Sequence, residues 1–413
     1  MARVLLLTLM FPPDGVSTAQ LLGEMAVDFQ EAGHEVSVIT TVPHYNRDEQ
    51  AEAAQPVRRR PLSFVAHSSF HGIPVRHVLI PRKSGRAPVR ALQWLWFHLA
   101  STVVGLCSRP RPDVIVATSP PLSIGLNAWA VGRFGRIPYI YNVWELYPDV
   151  AIHLGYLQNA SLIALLRRLE RFTYRRAAAV TALTQMMAGE ISTRVEPTKV
   201  VVVPSFVDID GIAHVDKRND FSEAHGLADR FVVSYAGNMG TPQQLGDVLR
   251  AAAAVNERPD LHVLLVGGGS ERRALQRQAA ELQLRNCTIL PHQPYSEVPN
   301  IYGASDLCLV PLNERLASDA LPSKVYRIMA AERPVVAITG EDSALADLVR
   351  RSGCGVVVPP GNPGALAATF SSLADDPEAR QRHGKAGRAY VMEHRSRTAV
   401  SAKNLDVIAS VLQ

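Results

Sequence analysis

The sequence has few cysteines and lacks the short motifs that mark several common enzyme classes. Its four cysteines are far apart and have no metal-binding spacing, which predicts small, buried, free thiols in a reducing compartment such as the cytoplasm: Cys107, Cys287, Cys308 and Cys354. No P-loop, protein-kinase glycine loop or H-E-x-x-H motif occurs. These absences argue against a cysteine-based metal site, a P-loop nucleotidase and a metalloprotease of the H-E-x-x-H type.

Acidic residues are missing from one long stretch. Between Ala53 and Pro112 there are ten basic residues and no acidic one. Residues 1–200 carry 21 Lys and Arg against 14 Asp and Glu, whereas the rest of the chain carries 22 against 24. The basic window also holds an apolar segment, residues 89–108, that includes Trp94 and Trp96. A basic surface beside an exposed aromatic helix would suit an anionic membrane face, and the alternative is a solvated basic face beside a core helix.

Two other interpretations of this window are weaker. The apolar segment has the length of a membrane span, but Arg90, Gln93 and His98 lie within it. Nucleic acid is not an expected partner, because no zinc finger or aromatic RNA-binding module accompanies the charge. The window therefore leaves peripheral membrane docking and an ordinary basic surface as the two readings.

Length and hydrophobic pattern predict two α/β domains. A chain of 413 residues is too long for one core. Short apolar runs alternate with helical patterns, first from residue 4 and again from residue 231, which indicates two doubly wound, Rossmann-like parallel sheets. The opening run resembles a signal peptide only superficially, and we expect a buried strand there. We place the domains at 1–204 and 205–390, with a helix over 391–413 that packs on the first domain.

Glycine-rich loops follow strands at equivalent places in the two halves. One contains Gly15 and the other runs over Gly237–Gly240, with Asn238 inside it. Glycine lets the backbone approach a phosphate closely, and loops at the carboxyl ends of parallel strands would face one cleft between the domains. Each loop taken alone is equally consistent with a tight turn. Gly267–Gly269 lacks the full G-x-G-x-x-G pattern, so a nicotinamide site is not favoured.

The stretch around Lys324 is the most informative part of the chain. A loop with Pro322 and Ser323 leads into a short helix, and a buried strand follows Pro334. The hydroxyl, the ammonium and the free N–H groups at such a helix start suit a diphosphate. The alternative is an ordinary connection with Lys324 pointing into solvent.

Glu145 is the candidate for proton transfer. It follows a predicted strand and lies among aromatic residues, whose apolar surroundings would raise the pKa of its carboxyl. The alternative is a surface carboxylate that caps the next helix, a role for which Asp149 is better placed.

The chain resembles glycosyltransferase family 4 of the GT-B fold over nearly its whole length. The resemblance rests on 11–15 (FPPDG), 33–36 (GHEV), 143–155, 235–240 (YAGNMG), 321–337 and 353–361. The stretch 143–155 is similar to that of bacterial members that build surface polysaccharides, including fucosamine and colanic-acid-type transferases.

The resemblance implies transfer of a sugar from a nucleotide diphosphate donor, a UDP-hexose or a UDP-N-acetylhexosamine. It also implies retention at the anomeric carbon and no metal or other cofactor. It implies a lipid-linked or small glycosyl acceptor facing Glu145, and catalytic roles for Glu145 and Lys324. The base would lie near His292. The implied donor contacts are Gly15, Asn238, Gly240, His292, Asp319, Ser323, Lys324 and Arg327.

One departure from the family stands out. Most members have two glutamates, and the corresponding positions here are Asp319 and Arg327. Arg327 cannot accept hydrogen bonds from ribose hydroxyls, as the second glutamate does. A sugar-nucleotide epimerase of the same architecture and a non-catalytic transferase-like partner therefore stay open as alternatives.

Overall fold

The computed structural model describes residues 1–44, 49–59, 61, 63–80, 87–207, 209, 211–212, 215–313 and 321–413, without the side chains of 87–91. These residues form two compact units. Met1–Pro204 together with Val400–Gln413 make the first unit, and Ser205–Ala399 make the second. Each unit is built on one sheet, so the prediction of two doubly wound α/β domains is confirmed.

Strands and helices alternate through most of the described chain. The strands are β1 (Arg3–Leu7), β2 (Glu35–Thr41), β3 (Arg58–Arg59), β4 (Val65–Phe70), β5 (Ile73–Val78), β6 (Val114–Ser119), β7 (Tyr139–Val143), β8 (Ala179–Ala182), β9 (Val200–Val202), β10 (Phe231–Ala236), β11 (Leu261–Val266), β12 (Cys287–Leu290), β13 (Leu307–Pro311), β14 (Val335–Ile338) and β15 (Gly355–Val358).

The described residues also form a series of α-helices. They are α1 (Ser17–Glu31), α2 (Glu49–Ala54), α3 (Ala87–Leu106), α4 (Ile124–Gly135), α5 (Asp149–His153), α6 (Ala160–Arg176), α7 (Gln185–Ser192), α8 (Asp220–Ala224), α9 (Gly246–Ala254), α10 (Arg272–Glu281), α11 (Val298–Gly303), α12 (Lys324–Ala330), α13 (Ala344–Ser352), α14 (Pro363–Asp375), α15 (Pro377–His394) and α16 (Arg397–Leu412).

The first sheet has the order β3-β4-β5-β2-β1-β6-β7-β8-β9 in the described residues. Strands β5 to β9 in this order are parallel, and β3, β4 and β5 pair antiparallel. In β1 the side chains of Val4–Leu7 are all buried, as expected for a strand covered on both faces. Strands β4 and β5 form a hairpin, with His71 and Gly72 at positive φ in its turn.

The second sheet is parallel throughout its described strands, with the order β12-β11-β10-β13-β14-β15. Chain order runs outward in opposite directions from the β10–β13 pair, which makes this pair a topological switch point. Ligands of open α/β sheets bind outside the carboxyl ends of the strands at such a point. In the first sheet the same reversal falls between β1 and β6.

The end of the chain is two helices rather than one. Helix α15 ends at His394, and α16 begins at Arg397. Between them, Ser396 forms an isolated β-bridge with Val207. From Val400 onward α16 belongs to the first unit, where the Ser401 hydroxyl donates a hydrogen bond to Asp28 of α1.

The cysteines only partly match the expectation of buried thiols. All four are free. Cys308 and Cys354 are buried and Cys287 is half-buried, but Cys107 is exposed just after α3. The prediction of burial is wrong for Cys107, because α3 ends at Leu106 and the chain turns outward there.

Candidate active site

Lys324 forms the centre of the candidate site in the second unit. It is the first residue of α12, between β13 and β14, and its ammonium lies 3.9 Å from the ring centroid of Tyr235, near the end of β10. The residue as a whole is half-buried, but its charged end is turned inward onto this ring. Burial, followed by the positive charge of Arg327, lowers the pKa of Lys324 to about 7. The alternative of a solvent-pointing Lys324 is therefore wrong.

Gly237 accommodates this lysine. Its φ of 151° lies in the region that favours glycine. A Cβ at this position would overlap the Lys324 ammonium and crowd the Tyr235 hydroxyl. The positive φ favours glycine at the end of β10, and a side chain there would also displace the Lys324 ammonium from its place on Tyr235.

The glycine-rich segment after β11 packs directly on the loop after β10. A Cβ on Gly267 would strike the Gly237 carbonyl, and one on Gly269 would strike the backbone of Met239. The Met239 N–H donates to the Gly268 carbonyl at 2.6 Å. The glycines at 267 and 269 therefore allow two loops to approach each other, which explains their presence without a bound dinucleotide.

The N–H of Gly240 has a hydrogen-bond partner within its own loop. Gly240 is buried at the start of a single 3-10 turn, and its N–H donates to Oε1 of Gln243 at 3.0 Å. A phosphate oxygen can use this N–H only by displacing the Gln243 amide. Asn238 is exposed, and its backbone carbonyl accepts a 2.6 Å hydrogen bond from the Tyr235 hydroxyl.

Arg327 lies one helical turn after Lys324 and is buried, with 7% of its surface exposed. Its guanidinium carbon is 4.9 Å from the ring centroid of Tyr295. Two cations are thus held one turn apart on α12, each against an aromatic ring. This arrangement favours a ligand that carries more than one negative charge.

The remaining predicted donor contacts of this unit are less enclosed. Ser323 is half-buried at the N-cap of α12, and its hydroxyl makes no capping hydrogen bond. His292 is exposed beside Gly268. Asp319 lies outside the described residues. Helix α12 has only seven residues, so the lysine and arginine side chains, rather than a helix dipole, supply most of the positive field.

Glu145 lies in the loop after β7 of the first unit, beside the half-buried Trp144 and Tyr147 that pack on the core. Burial raises the pKa of its carboxyl to about 7, while a hydrogen bond from Tyr147 acts in the opposite direction. Its environment matches the predicted one. The alternative of a helix-capping carboxylate does not hold, because Pro148 is the N-cap of α5 and no side chain caps it.

Asp149 has a structural role that the sequence did not indicate. It is buried and pairs with Arg194 at 2.5 Å and with Arg167 at 3.3 Å, instead of capping α5. Arg194 also pairs with Glu170 at 2.5 Å. Burial raises the pKa of Glu170 despite this partner. The cluster ties the loop after β7 to α6 and α7.

The loop that contains Gly15 holds a buried carboxylate that sequence reasoning missed. Gly15 is half-buried, and the neighbouring Asp14 is 1% exposed. Asp14 accepts a hydrogen bond of 3.2 Å from the His44 N–H, and the His44 ring lies 2.9 Å from the Thr41 hydroxyl. An aspartate before a loop glycine carries little signal by itself, because turns commonly use this pair.

Helix α3 is apolar on two faces. Phe97, Ala100 and Val104 are buried in the first unit's core, whereas Leu95 and Leu99 on the opposite face are more than half exposed. Across the described part of the chain, no helix combines the length and apolarity needed to cross a bilayer. In the same residues, no three His, Cys, Asp or Glu side chains come together as potential metal ligands.

Two family models match adjoining parts of the chain. "Glycosyl transferase 4-like domain" matches residues 17–205, and "Glycosyl transferases group 1" matches residues 217–390. The boundary between them falls where the two structural units meet in the sequence.

Relatives and solved structures agree with these models. The chain is 24% identical over 388 residues to WcaI of Escherichia coli (strain K12), named as a colanic acid biosynthesis glycosyl transferase, covering 89% of this chain and 90% of WcaI. It is 25% identical to the glycosyltransferase WbjE of Pseudomonas aeruginosa, covering 66% of this chain and 69% of WbjE.

The fold is shared with HepE of Anabaena in complex with UDP, at a TM-score of 0.73 and 15% identity, covering 99% of this chain and 100% of HepE. It is also shared with WaaG, a glycosyltransferase of lipopolysaccharide biosynthesis, at a TM-score of 0.70 and 15% identity over 98% of this chain and 99% of WaaG. The chain therefore belongs to the GT-B glycosyltransferases, with a 4-like first domain and a group 1 second domain.

Proposed function

We propose that this glycosyltransferase moves a hexose or an N-acetylhexosamine from a UDP-sugar to a lipid-linked or small glycosyl acceptor, with retention at the anomeric carbon and without a metal. The observation that carries the proposal is the Lys324 ammonium, held on Tyr235 against Gly237 at the switch point of the second sheet. HepE, which has the same fold, has been crystallised with UDP and with UDP-glucose. UDP is therefore the first nucleotide to test.

Lys324 would stabilise the leaving group. In the transfer, the bond between the anomeric carbon and the β-phosphate oxygen breaks, and the acceptor oxygen bonds to the same carbon. Negative charge grows on the departing diphosphate, and a nearby ammonium stabilises this charge without a metal ion. Arg327, buried one turn further on, adds a second positive charge, and the Ser323 hydroxyl adds a donor.

Glu145 would serve the acceptor. A carboxyl whose pKa is about 7 is half ionised at neutral pH, which suits a group that accepts the proton of the attacking hydroxyl or orients that hydroxyl. The apolar neighbours that raise the pKa, Trp144 and Tyr147, would also give a sugar ring a surface to pack on.

The nucleoside would extend from Lys324 toward His292. Tyr295 follows His292 by three residues, and its ring contacts Arg327. Because a guanidinium has no acceptor atoms, Arg327 would bind phosphate oxygen rather than ribose hydroxyls. Asp319 and Asn238 are the proposed polar contacts to the rest of the donor, while Gly15 and Gly240 would allow close approach of backbone.

The first experiment is a thermal-shift screen with UDP, GDP and ADP, followed by product analysis with the corresponding radiolabelled sugar nucleotides. We expect UDP to raise the melting temperature most, and UDP-sugar to yield a glycosylated acceptor with the anomeric configuration retained. An altered sugar nucleotide formed without acceptor would assign an epimerase instead. Absence of nucleotide binding, donor hydrolysis and transfer would assign a non-catalytic partner subunit.

We also propose that the protein works at the cytoplasmic face of an anionic membrane. Exposed apolar side chains of α3 such as Val103, together with the basic sequence around the helix, supply the two components of such binding, apolar area and positive charge. Flotation with phosphatidylglycerol vesicles at low salt should carry the protein upward, and flotation should weaken at high salt. Equal flotation with neutral vesicles would remove the electrostatic part of this proposal.

A further inference from the structure

A groove of about 810 Å³ runs along the outer side of the first unit. One wall is the exposed side of α3, with Leu92, Leu95 and Leu99. The other wall comes from residues that flank the β4–β5 hairpin, Phe64 before β4 and Leu79 after β5, together with the adjoining Ile80 and Ser63. The groove is thus a walled channel rather than a flat apolar patch.

Trp96 fixes the two walls relative to each other. Its indole N–H donates a 2.9 Å hydrogen bond to the Leu79 carbonyl. Its ring meets the edge of Phe64 with centroids 5.8 Å apart and an angle of 74° between the rings. The polar atom of the tryptophan is satisfied, so what it presents to the groove is apolar ring surface.

The apolar stripe on α3 is unusual for a helix face in water. Leu92, Leu95 and Leu99 are 67%, 55% and 59% exposed, at the i, i+3, i+7 spacing of one helical face. No charged residue occurs from Leu92 to Ser108. Surface helices of soluble domains place charged side chains on the face away from the core, so this face is suited to an apolar ligand.

The lining of the groove includes a positive charge. Arg59 is exposed and forms part of the lining, and Arg58 precedes it in β3. The whole window 53–112 contains ten basic residues and no acidic one. An apolar groove with a guanidinium group in its lining matches an amphiphile with an anionic head.

An anionic lipid fits this groove better than a second copy of the chain or a bilayer surface does. A second copy of the chain would bring its own arginine-rich rim onto the same positive surface, and like charges at an interface oppose association. A bilayer surface would engage every exposed apolar side chain of α3, including Val103, which is 50% exposed but lies beyond the described lining. The two-walled channel instead suits one chain.

We propose that this groove binds the hydrocarbon chain of an anionic acceptor lipid, a long-chain isoprenyl or alkyl phosphate or diphosphate that carries the acceptor sugar, with Arg59 beside its phosphate. The inference rests on the proposed function, since it names the lipid class of the acceptor. It assigns the chain-binding part of acceptor recognition to α3 and the β4–β5 hairpin of the first unit.

Farnesyl diphosphate is a suitable probe, below its micellar concentration and with the full chain saturated by UDP so that the donor site is occupied. We expect binding by isothermal calorimetry, and no competition by inorganic diphosphate at equal concentration. Leu95→Gln and Arg59→Gln should each weaken binding by roughly tenfold. Val103→Gln, a matched change on the same helix, should leave binding within about twofold.

Three results would overturn the inference. The first is no binding of farnesyl diphosphate, and the second is displacement by inorganic diphosphate, which would leave only an anion site. The third is equal weakening of farnesyl diphosphate binding by Val103→Gln and Leu95→Gln, which would spread the contact over the whole apolar face of α3 instead of confining it to the groove. UDP binding is measured separately in each variant, so its failure would be assigned to the proposed function and not to the groove.

Discussion

Binding of UDP should take up nearly one proton at pH 8. In the protein without ligand, Lys324 has a pKa of about 7, because its ammonium is buried on Tyr235 and lies near Arg327. At pH 8 about nine-tenths of the molecules therefore have a neutral lysine, and at pH 6 about one-tenth do. A bound diphosphate restores the charged form through charge-assisted hydrogen bonds. The expected uptake is about 0.9 proton per UDP at pH 8.

The assay is isothermal calorimetry in several buffers that differ in ionisation enthalpy. The slope of the observed binding enthalpy against the buffer ionisation enthalpy gives the number of protons exchanged. The measurement is made at pH 8, where the terminal phosphate of UDP is already ionised and contributes nothing. Lys324→Met should abolish the uptake, whereas Lys385→Met, an exposed lysine of α15 in the same unit, should not change it. A slope of zero for the unmodified protein would refute the assignment of Lys324 to the diphosphate.

The same lysine makes the stability of the ligand-free protein depend on pH. The pKa of Lys324 is lowered in the folded state, so the unfolded chain binds more protons between pH 7 and about 10.4. Stability therefore rises with pH through this window, by roughly 1.4 kcal/mol for each pH unit. Lys324→Met should remove this rise, as urea unfolding at pH 7 and pH 9 would show.

Three further changes test other parts of the account. Gly237→Ala should lower the free energy of unfolding by about 1–3 kcal/mol and weaken UDP binding, because its Cβ overlaps the Lys324 ammonium at a positive φ; Gly189→Ala, in α7 with open space around it, should instead stabilise by about 0.5–1 kcal/mol. If both alanines act alike in urea unfolding, the steric argument fails. Glu145→Gln should remove the acidic limb near pH 7 from the pH profile of turnover. The variant should also be more stable than the unmodified protein at pH 9, by up to about 3 kcal/mol, because ionising this carboxyl opposes folding as pH rises from 4.5 through 7. Full turnover with an unchanged profile would reject the proton-transfer role of Glu145. Arg194→Met should destabilise by about 3–5 kcal/mol, since it leaves two buried carboxylates without their shared cation, whereas the exposed Arg168→Met should change stability by less than about 0.5 kcal/mol.

The strands were the most predictable part of the fold. Strands buried on both faces are continuous apolar runs, and the predicted runs that begin at residue 4 and at residue 231 correspond to β1 and β10. Helix α7 was not predicted, because its eight residues offer few helical turns for a periodic signal. Tertiary packing, rather than local pattern, stabilises it.

At the candidate site the residue types could be predicted, but most of their contacts could not. The raised pKa of the Glu145 carboxyl follows from its aromatic neighbours in sequence. The Gln243 side chain on the Gly240 N–H and the packing of Gly267 on Gly237 depend on where two loops meet. The Asp14–His44 pair joins segments thirty residues apart, and no spacing rule connects them.

Helix α3 illustrates why exposure is hard to read from sequence. Its residues are apolar on both faces, so the pattern is compatible with a core helix and with a ligand-binding surface alike. Only the position of the β4–β5 hairpin beside it turns the outer face into a walled groove. A sequence pattern cannot supply this neighbour.

The most direct test of the central claim is a titration of the unmodified protein and of Lys324→Ala with UDP and with uridine at pH 7. The account predicts that UDP binds the unmodified protein and that Lys324→Ala weakens this binding by about ten- to hundredfold, the loss of one or two charge-assisted hydrogen bonds. Uridine, which has no phosphate, should bind both proteins equally. Equal affinity of UDP for the two proteins would contradict the account.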